Sequence, residues 1–348
     1  MNRVTVEFET ITPLFTGDAW GSCTELKPSS IMGSLRFWFE VYCHFAGIDV
    51  KEKEELKDID YQKILKNLKK DIDSGKVIDD IDKYVFDRLP LTLSSKIFGC
   101  TGWKSRIEIE SIRYLDDYCF WNRLNLPSKI IPSKNWFFAK PYFFGKFEII
   151  FKVNNIVLND FLFLLSFMND YGYLGGKNNI GYGRVKINKI IVDGEANLLK
   201  FNDNILQKSN LDLSVQAFEI IKKILGVESF YCQTERDFDN KVNNLPQKII
   251  LLVTENTQNQ DYQQLTKQLI EKKIELRNCL RAKRDFNHSI QNKWTNIRHY
   301  IFGTTSGESN ATKLIPYFNA IKNNDQWKIN EYGFLSIVGI KTFGEKNE

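Results

Sequence analysis

An alternating strand followed by a glycine-containing turn opens the chain and restricts the folds it can adopt. Val4, Val6 and Phe8 alternate with polar residues, as they do in a strand with one buried face. Pro13 and Gly17 then interrupt the alternation. The chain must therefore turn within its first twenty residues and begin a different element.

That next element is predicted to be an amphipathic helix. Pro28, Ser29 and Ser30 are typical of a helix N-terminus, where a hydroxyl can accept a bond from an unpaired backbone N–H. Arg36 lies at the edge of the apolar stripe, beside the helix start, where free N–H groups suit a phosphate. The stripe consists of Ile31, Leu35, Trp38, Phe39 and Tyr42.

A second motif is the glycine-rich loop Gly175–Arg184, Gly-Gly-Lys-Asn-Asn-Ile-Gly-Tyr-Gly-Arg. Glycine permits positive φ and close backbone approach, and successive N–H groups can surround an anion. Lys177 and Arg184 add positive charge, and Tyr182 offers a ring for stacking. The loop matches neither a Walker A motif nor a Rossmann fingerprint, because it precedes a strand rather than opening a helix. A plain connecting loop is the alternative interpretation.

These motifs resemble one family. Thr12–Gly17 followed by Lys27–Phe39 is similar in order and spacing to the first Cmr subunit of type III-B CRISPR effector complexes, within the RAMP superfamily. The loop Gly175–Arg184 resembles the glycine-rich loop of RAMP proteins. Met32 and Glu40 depart from the pattern, since the family more often has a basic residue there, so these two contacts are not carried over.

The predicted fold class is α+β, with two tandem ferredoxin-like (RRM-like, RAMP) domains. The order strand, helix, strand pair, helix, strand supports this fold over residues 1–193, with a helical insertion at about 49–90. A second domain is expected over 194–348, where helices are predicted at 212–225 and, longer, at 263–284, and strands at 248–254, 326–330 and 332–340. Ile-Phe-Gly occurs at Ile97 and again at Ile301, a weak signal of two copies of one fold.

Positive charge is concentrated in the second half of the chain. The net charge is only +5, yet residues 267–298 hold nine basic and three acidic residues. Lys273, Arg277, Arg281 and Arg284 share one flank of the predicted long helix. This row could follow a phosphate backbone, contact an acidic subunit, or be ordinary solvated surface.

Together, the motifs and the resemblance imply an RNA-binding surface. Lys104 and Arg106 join it because they flank Trp103, a possible stacking ring. The predicted RNA-binding residues are Lys27, Ser29, Ser30, Arg36, Lys104, Arg106, Gly175, Gly176, Lys177, Asn178, Asn179, Gly181, Tyr182, Gly183, Arg184, Lys273, Arg277, Arg281 and Arg284.

Catalysis finds little support in the sequence. The chain has three histidines and no convincing pair of metal-binding carboxylates, so no metal and no cofactor is expected. The resemblance implies a non-catalytic subunit that contacts the guide RNA 3′ region, the complementary target RNA and other Cmr subunits. The alternatives are a metal-independent endoribonuclease that uses His44 or Tyr42 as base, and a scaffold that contacts only protein.

The expected location is the cytoplasm. Six cysteines are scattered without the spacing of a zinc site or a disulfide framework. No apolar run has the length of a membrane span, and the N-terminus lacks a signal-peptide core.

Overall fold

The structure is a computed structural model of the chain. It describes residues 1–17, 23–51, 53–115, 124–127, 135–138, 142–197, 199–200, 203–210, 248–254, 261–282, 298–299, 301–303, 312–324 and 326–338. Arg284 and the helix predicted at 212–225 lie outside these residues.

The described elements alternate between strands and helices along the chain. The strands are β1 (Asn2–Thr10), β2 (Ile107–Tyr114), β3 (Leu124–Pro127), β4 (Asn135–Phe138), β5 (Lys146–Val153), β6 (Val185–Val192), β7 (Glu195–Ala196), β8 (Leu206–Asn210), β9 (Ile249–Thr254), β10 (Leu314–Asn323) and β11 (Gln326–Ser336). The helices are α1 (Pro28–Phe45), α2 (Asp58–Asp73), α3 (Ile81–Arg88), α4 (Leu93–Phe98), α5 (Leu158–Tyr171) and α6 (Tyr262–Ala282).

The first sheet has the ferredoxin-like topology predicted from the sequence. Its strand order is β2-β5-β1-β6-β7, with β1 antiparallel to both β5 and β6. Helix α1 lies between β1 and β2 in the chain, and α5 lies between β5 and β6. This is the βαββαβ order, with the helical insertion α2 to α4 placed between α1 and β2.

The apolar residues that alternate along β1 lie on the face of the sheet that the helices cover. Val4, Val6 and Phe8 are buried in one hydrophobic core with residues of α1 and α5. Trp38 of α1 is fully buried, and its Nε1 donates to the carbonyl oxygen of Tyr173 at 2.8 Å. Trp38 is therefore a core residue, since a buried indole N–H needs a hydrogen-bond acceptor.

The second sheet has the order β10-β11-β9-β8. Two of the predicted strands, 326–330 and 332–340, are one continuous strand, β11, and its partner β10 was not predicted. Within β11, a Cβ on Gly333 would lie 1.8 Å from the Leu252 carbonyl oxygen, so this glycine permits close approach of β9 and does not end the strand.

The two sheets repeat one local structure at the Ile-Phe-Gly tripeptides. Gly99 ends α4 with φ +86°, and Gly303 follows helical residues with φ +74°. The carbonyl oxygen of Ile97 accepts a bond from Arg106 N at 2.8 Å, and that of Ile301 accepts one from Lys313 N at 2.8 Å. A strand, β2 or β10, begins at the next residue in each case.

A hydroxyl group completes this repeated structure. Ser105 Oγ donates to the carbonyl oxygen of Ile97 at 3.3 Å, and Thr312 Oγ1 donates to that of Ile301 at 3.3 Å. Accordingly β9, α6, β10 and β11 correspond to β1, α1, β2 and β5, which confirms tandem ferredoxin-like domains. The two domains differ at one neighbouring strand: in the second sheet β8 runs parallel to β9, whereas in the first sheet β6 runs antiparallel to β1.

The insertion has a small core of its own. Ile64 and Leu68 of α2 pack with Tyr84 and Val85 of α3. The Asp80 side chain caps α3 by accepting a bond from Lys83 N at 2.9 Å. The predicted helical insertion is thus confirmed, whereas the domain boundary at residue 193 stays a prediction. Within the described ranges, no helix is long and apolar enough to span a membrane.

Candidate nucleic-acid interface

The two sequence motifs form one structural unit. Thr12 Oγ1 donates to the carbonyl oxygen of Gly181 at 2.7 Å, and Gly183 N donates to that of Pro13 at 2.8 Å. Gly176 N donates to the carbonyl oxygen of Phe15 at 2.7 Å. The segment after β1 therefore fixes the position of the glycine-rich loop.

The glycines of the loop have the positive φ angles that the sequence predicted. These are +71° at Gly175, +82° at Gly181 and +89° at Gly183. The close approach, however, is to protein: a Cβ on Gly183 would lie 2.0 Å from the Leu174 carbonyl oxygen, and one on Gly181 would lie 2.7 Å from the Phe318 ring. Gly181 and Gly183 are buried, so the prediction that they contact RNA is corrected.

The prediction that Arg184 contacts RNA is also corrected, because this residue is fully buried. Its Nη1 and Nη2 atoms donate to carbonyl oxygens at the end of α5, including those of Met168 at 3.1 Å, Asn169 at 2.7 Å and Asp170 at 2.7 Å. A helix C-terminus has carbonyl groups without helical partners, and this guanidinium satisfies them. The positive charge of Arg184, which was predicted to face RNA, is instead hydrogen-bonded to carbonyl groups inside the protein.

The prediction that Tyr182 stacks on RNA is corrected as well. It is 1% exposed, and its ring lies edge-on to Tyr142 with centroids 4.9 Å apart. The two rings form a satellite cluster with Ile180 and Ile270 of α6. Tyr182 thus packs the loop against the second domain and offers no ring for base stacking.

The exposed part of the loop is the short turn from Gly176 to Asn179. Gly176, Lys177 and Asn179 are exposed, and Asn178 is half-buried. Lys177 has φ +67°, and its Nζ lies 5.6 Å from the centroid of the Phe15 ring. We call residues 176–179 the exposed turn.

The start of α1 lies directly beside this loop. Ser34 Oγ donates to the carbonyl oxygen of Ser30 at 2.9 Å and accepts a bond from Gly175 N at 2.8 Å. Ser29 is exposed and no acidic residue occupies the first turn. The residue before the helix is Lys27, which forms an ion pair with Glu25, so the predicted serine cap is absent from this position.

Arg36 is a partly buried residue at the contact between α1 and α4. Its Nε donates to Glu40 Oε1 at 2.8 Å, and its Nη1 donates to the Gly99 carbonyl oxygen at 2.8 Å. These bonds tie α1 to the end of α4. Arg36 thus has a structural role with Glu40, which departs from the family pattern, as its partner, and its contact with phosphate stays a prediction.

Lys104 and Arg106 have partners near the insertion. Lys104 forms an ion pair with Glu108. The Arg106 guanidinium lies 4.2 Å from the Trp103 ring centroid, and Trp103 Nε1 donates to the Lys96 carbonyl oxygen at 2.9 Å. The guanidinium of Arg106 thus lies over the Trp103 ring, and the contact of Arg106 with RNA stays a prediction.

One residue of the basic row on α6, Lys273, contacts the glycine-rich loop. Lys273 Nζ donates to the carbonyl oxygens of Asn179 at 3.1 Å and Leu314 at 2.8 Å. This lysine thus joins the exposed turn to β10, and its contact with RNA stays a prediction. Arg277 is partly exposed, whereas the side chains of Arg281 and Arg284 lie outside the description.

Gly33 is a residue that the sequence reasoning missed. It lies within α1, and nothing lies within 4 Å of the position that a Cβ would take. A helical glycine costs up to about 1 kcal/mol relative to alanine. No packing in the described structure requires that cost. A glycine interrupting an amphipathic helix was the signal that could have identified it.

Comparison with solved structures gives distant matches. The chain is similar to the crystal structure of Cmr1 from Pyrococcus furiosus (apo form), with 13% identity, a TM-score of 0.35, and coverage of 96% of this chain and 88% of that one. A chain of a type IV-B CRISPR complex matches with 14% identity and a TM-score of 0.34, over 55% of this chain and 90% of that one.

Sequence families give a firmer assignment. No curated protein matches the chain. The family model of the RAMP superfamily matches residues 7–186, which include the end of β1, both sequence motifs and the first residues of β6. That range is more than half of the chain and covers most of the first ferredoxin-like domain, so this protein belongs to the RAMP superfamily.

Proposed function

We propose that the protein is a non-catalytic RNA-binding subunit of a CRISPR RNA-guided effector complex of the type III-B kind. Membership of the RAMP superfamily and the resemblance of Thr12–Gly17 and Lys27–Phe39 to the first Cmr subunit support this proposal. Its partners would be the guide RNA, the complementary target RNA and other Cmr subunits, in the cytoplasm.

One observation carries the RNA-binding proposal. Ser34 links Gly175, directly before the exposed turn, to Ser30 in the first turn of α1, and from this link we infer that the exposed Lys177 and Ser29 face the same ligand. The first-turn N–H groups of a helix favour an anion, and the helix dipole adds to this effect. Gly33 leaves room for a nucleic-acid backbone on the same helix.

This surface suits the RNA backbone rather than particular bases. Its groups are backbone N–H, hydroxyl and ammonium groups, which bind phosphate and sugar oxygens whatever the sequence. Tyr182 and Trp103 are packed against other side chains. Sequence would then be read by pairing between guide and target.

The structure disfavours the ribonuclease alternative at one of its proposed bases. The Tyr42 ring lies edge-on to Phe163, with centroids 4.6 Å apart, and burial raises the pKa of Tyr42. A base must instead accept a proton near neutral pH. Incubating the purified protein with CRISPR repeat RNA in EDTA tests this alternative, because a metal-independent ribonuclease would still produce cleaved RNA.

A fluorescence titration with single-stranded RNA tests the proposal. Affinity should fall steeply with salt, with a slope near −0.7 for each phosphate neutralised. Lys177→Glu should weaken binding, whereas Lys328→Glu, on an exposed residue of β11, should not. A protein that shows no RNA binding at low salt would instead be the protein-only scaffold.

A further inference from the structure

Six large apolar side chains of the insertion are exposed to solvent. They are six of the eight exposed large hydrophobic residues in the described part of the chain, and the other two are Met1 and Ile321. The six are Ile59 (78% exposed), Tyr61 (37%), Leu65 (41%), Ile72 (49%), Val77 (87%) and Ile81 (54%). Such clustering is typical of a protein interaction site, whereas scattered exposed apolar residues are ordinary.

Three of these residues form a line along α2. Tyr61, Leu65 and Ile72 are separated by four and seven residues, so they share one side of the helix. Ile64 and Leu68, on the adjacent side, are buried in the core of the insertion. The apolar face of α2 is thus wider than the part that this core covers.

A lysine face borders the apolar line. Lys63, Lys66 and Lys69 lie in the middle of α2 and Lys70 lies in its last turn; all four are exposed, and none forms an ion pair with another described residue. Lys69 lies four residues after Leu65 and three before Ile72, which places it next to both on the helix surface.

Among the described residues, none of the four acidic residues of α2 forms an ion pair with these lysines, although the exposed Asp73 lies four residues after Lys69. Asp58 and Asp60 lie in the first turn, where the helix dipole favours negative charge. Asp71 accepts a bond from Lys76 Nζ at 2.7 Å and another from the Tyr84 hydroxyl at 2.9 Å. The middle of the helix therefore presents positive charge beside exposed apolar groups.

We propose that this surface docks an amphipathic acidic helix of a partner protein. Apolar side chains of that helix would cover Tyr61, Leu65 and Ile72, and its carboxylates would lie against Lys66 and Lys69. A polynucleotide would satisfy the lysines but leave the apolar line exposed, so the combination favours protein. The site is on the insertion, apart from the α1 and exposed-turn surface proposed to bind RNA.

Fluorescence anisotropy with the full chain can test this proposal using synthetic peptides as probes. The first peptide is a helix with leucines at i, i+4 and i+7 and flanking glutamates, and the second has lysines in place of the glutamates. Two double variants are Leu65→Asp with Ile72→Asp, and Lys66→Glu with Lys69→Glu. The core of the insertion excludes these four residues, so folding should be retained.

The acidic peptide should bind the wild-type chain, and the basic peptide should not. Each double variant should weaken binding about tenfold or more. Ile321→Asp and Lys328→Glu are matched controls, since Ile321 is 53% exposed and both residues lie in the second sheet, and they should bind like wild type.

Three results would overturn the proposal. In the first, the acidic peptide fails to bind or binds the double variants as tightly as wild type. In the second, the lysine variant loses affinity for a single-stranded RNA oligonucleotide while the Asp variant does not, which would assign the face to RNA. In the third, sedimentation shows self-association that both double variants abolish, which would make the occupant a second copy of the chain.

Discussion

Arg184 Nε in the first domain donates a hydrogen bond of 2.9 Å to the carbonyl oxygen of Phe318 in the second. The rest of the same guanidinium binds the last carbonyl groups of α5. Tyr173, beside the loop, adds a second link, since its hydroxyl donates to the Pro316 carbonyl oxygen at 2.6 Å. The end of the glycine-rich loop is therefore a junction between the domains.

Replacing Arg184 should consequently destabilise the protein before it affects any ligand. Arg184→Met leaves several buried carbonyl oxygens without donors, and we expect the free energy of unfolding to fall by about 3 kcal/mol or more. Urea unfolding measures this change. Lys189→Met, on an exposed residue of the strand that follows Arg184, is the control. A stable Arg184→Met protein that has lost RNA binding would contradict the structural role.

Alanine substitutions at two glycines of the loop should differ in their effect on the stability of the protein. Gly183→Ala places a Cβ against the Leu174 carbonyl oxygen at a positive φ, and we expect it to cost about 2 kcal/mol or more of unfolding free energy. In Gly176→Ala the new Cβ would lie 3.7 Å from the nearest atom of Phe15, an ordinary contact. Gly176→Ala should therefore leave thermal unfolding nearly unchanged, and equal destabilisation by both would refute the distinction.

The sequence predicted local structure better than it predicted contacts. Helix α5 at Leu158–Tyr171 and the positive φ of Gly181 follow from periodicity and glycine chemistry over a few residues. What Gly181 approaches is Phe318, which is distant in sequence, and no local pattern reveals that neighbour. For the same reason the charge of Arg184 predicted exposure, whereas tertiary contacts bury it.

Strand β10 shows a second limit of pattern reasoning. Its first five residues, Leu314 to Phe318, are all buried, so the alternation that identifies a half-buried strand is absent. Pro316 also argues against a strand in the sequence, because proline lacks a backbone donor. The strand forms because β10 lies at the edge of its sheet among the described strands and pairs with β11.

Stability should depend on pH through a buried lysine. Burial and, to a smaller extent, the charge of Arg184 lower the pKa of Lys186 to about 7, and the centroid of the Trp327 ring lies 5.7 Å from its Nζ. In the unfolded chain a lysine has a pKa of about 10.4. Between these values the unfolded state binds more protons, so stability should rise as pH increases from 7.

Urea midpoints between about pH 7 and 9.5 can measure this dependence. Lys186→Met should reduce the rise and stabilise the protein at pH 7, because the unfavourable buried charge is gone. Lys313, whose pKa burial lowers to about 8, contributes a rise of the same sign, so some dependence should persist. The exposed control Lys189→Met should keep the full rise, and an unchanged slope in Lys186→Met would contradict the assignment.

Arg36 should contribute to stability by joining α1 to α4. We expect Arg36→Ala to lower the free energy of unfolding by about 1 to 2 kcal/mol, since Glu40 and the Gly99 carbonyl oxygen lose a charged donor. Glu40→Gln and the double variant complete a cycle that isolates the coupling. Strict additivity of the two changes would show that the pair is not coupled.

Substitutions at Gly33 should distinguish an effect on RNA affinity from an effect on folding stability. Gly33→Ala should raise the free energy of unfolding by about 0.5 to 1 kcal/mol, because alanine favours the helix and nothing surrounds its Cβ. If an RNA backbone passes over this position, the same methyl group should weaken RNA binding, and Gly33→Leu should weaken it further. Melting temperature and RNA affinity would then move in opposite directions, which a general folding defect cannot produce. A stabilised variant with unchanged RNA affinity would remove Gly33 from the interface.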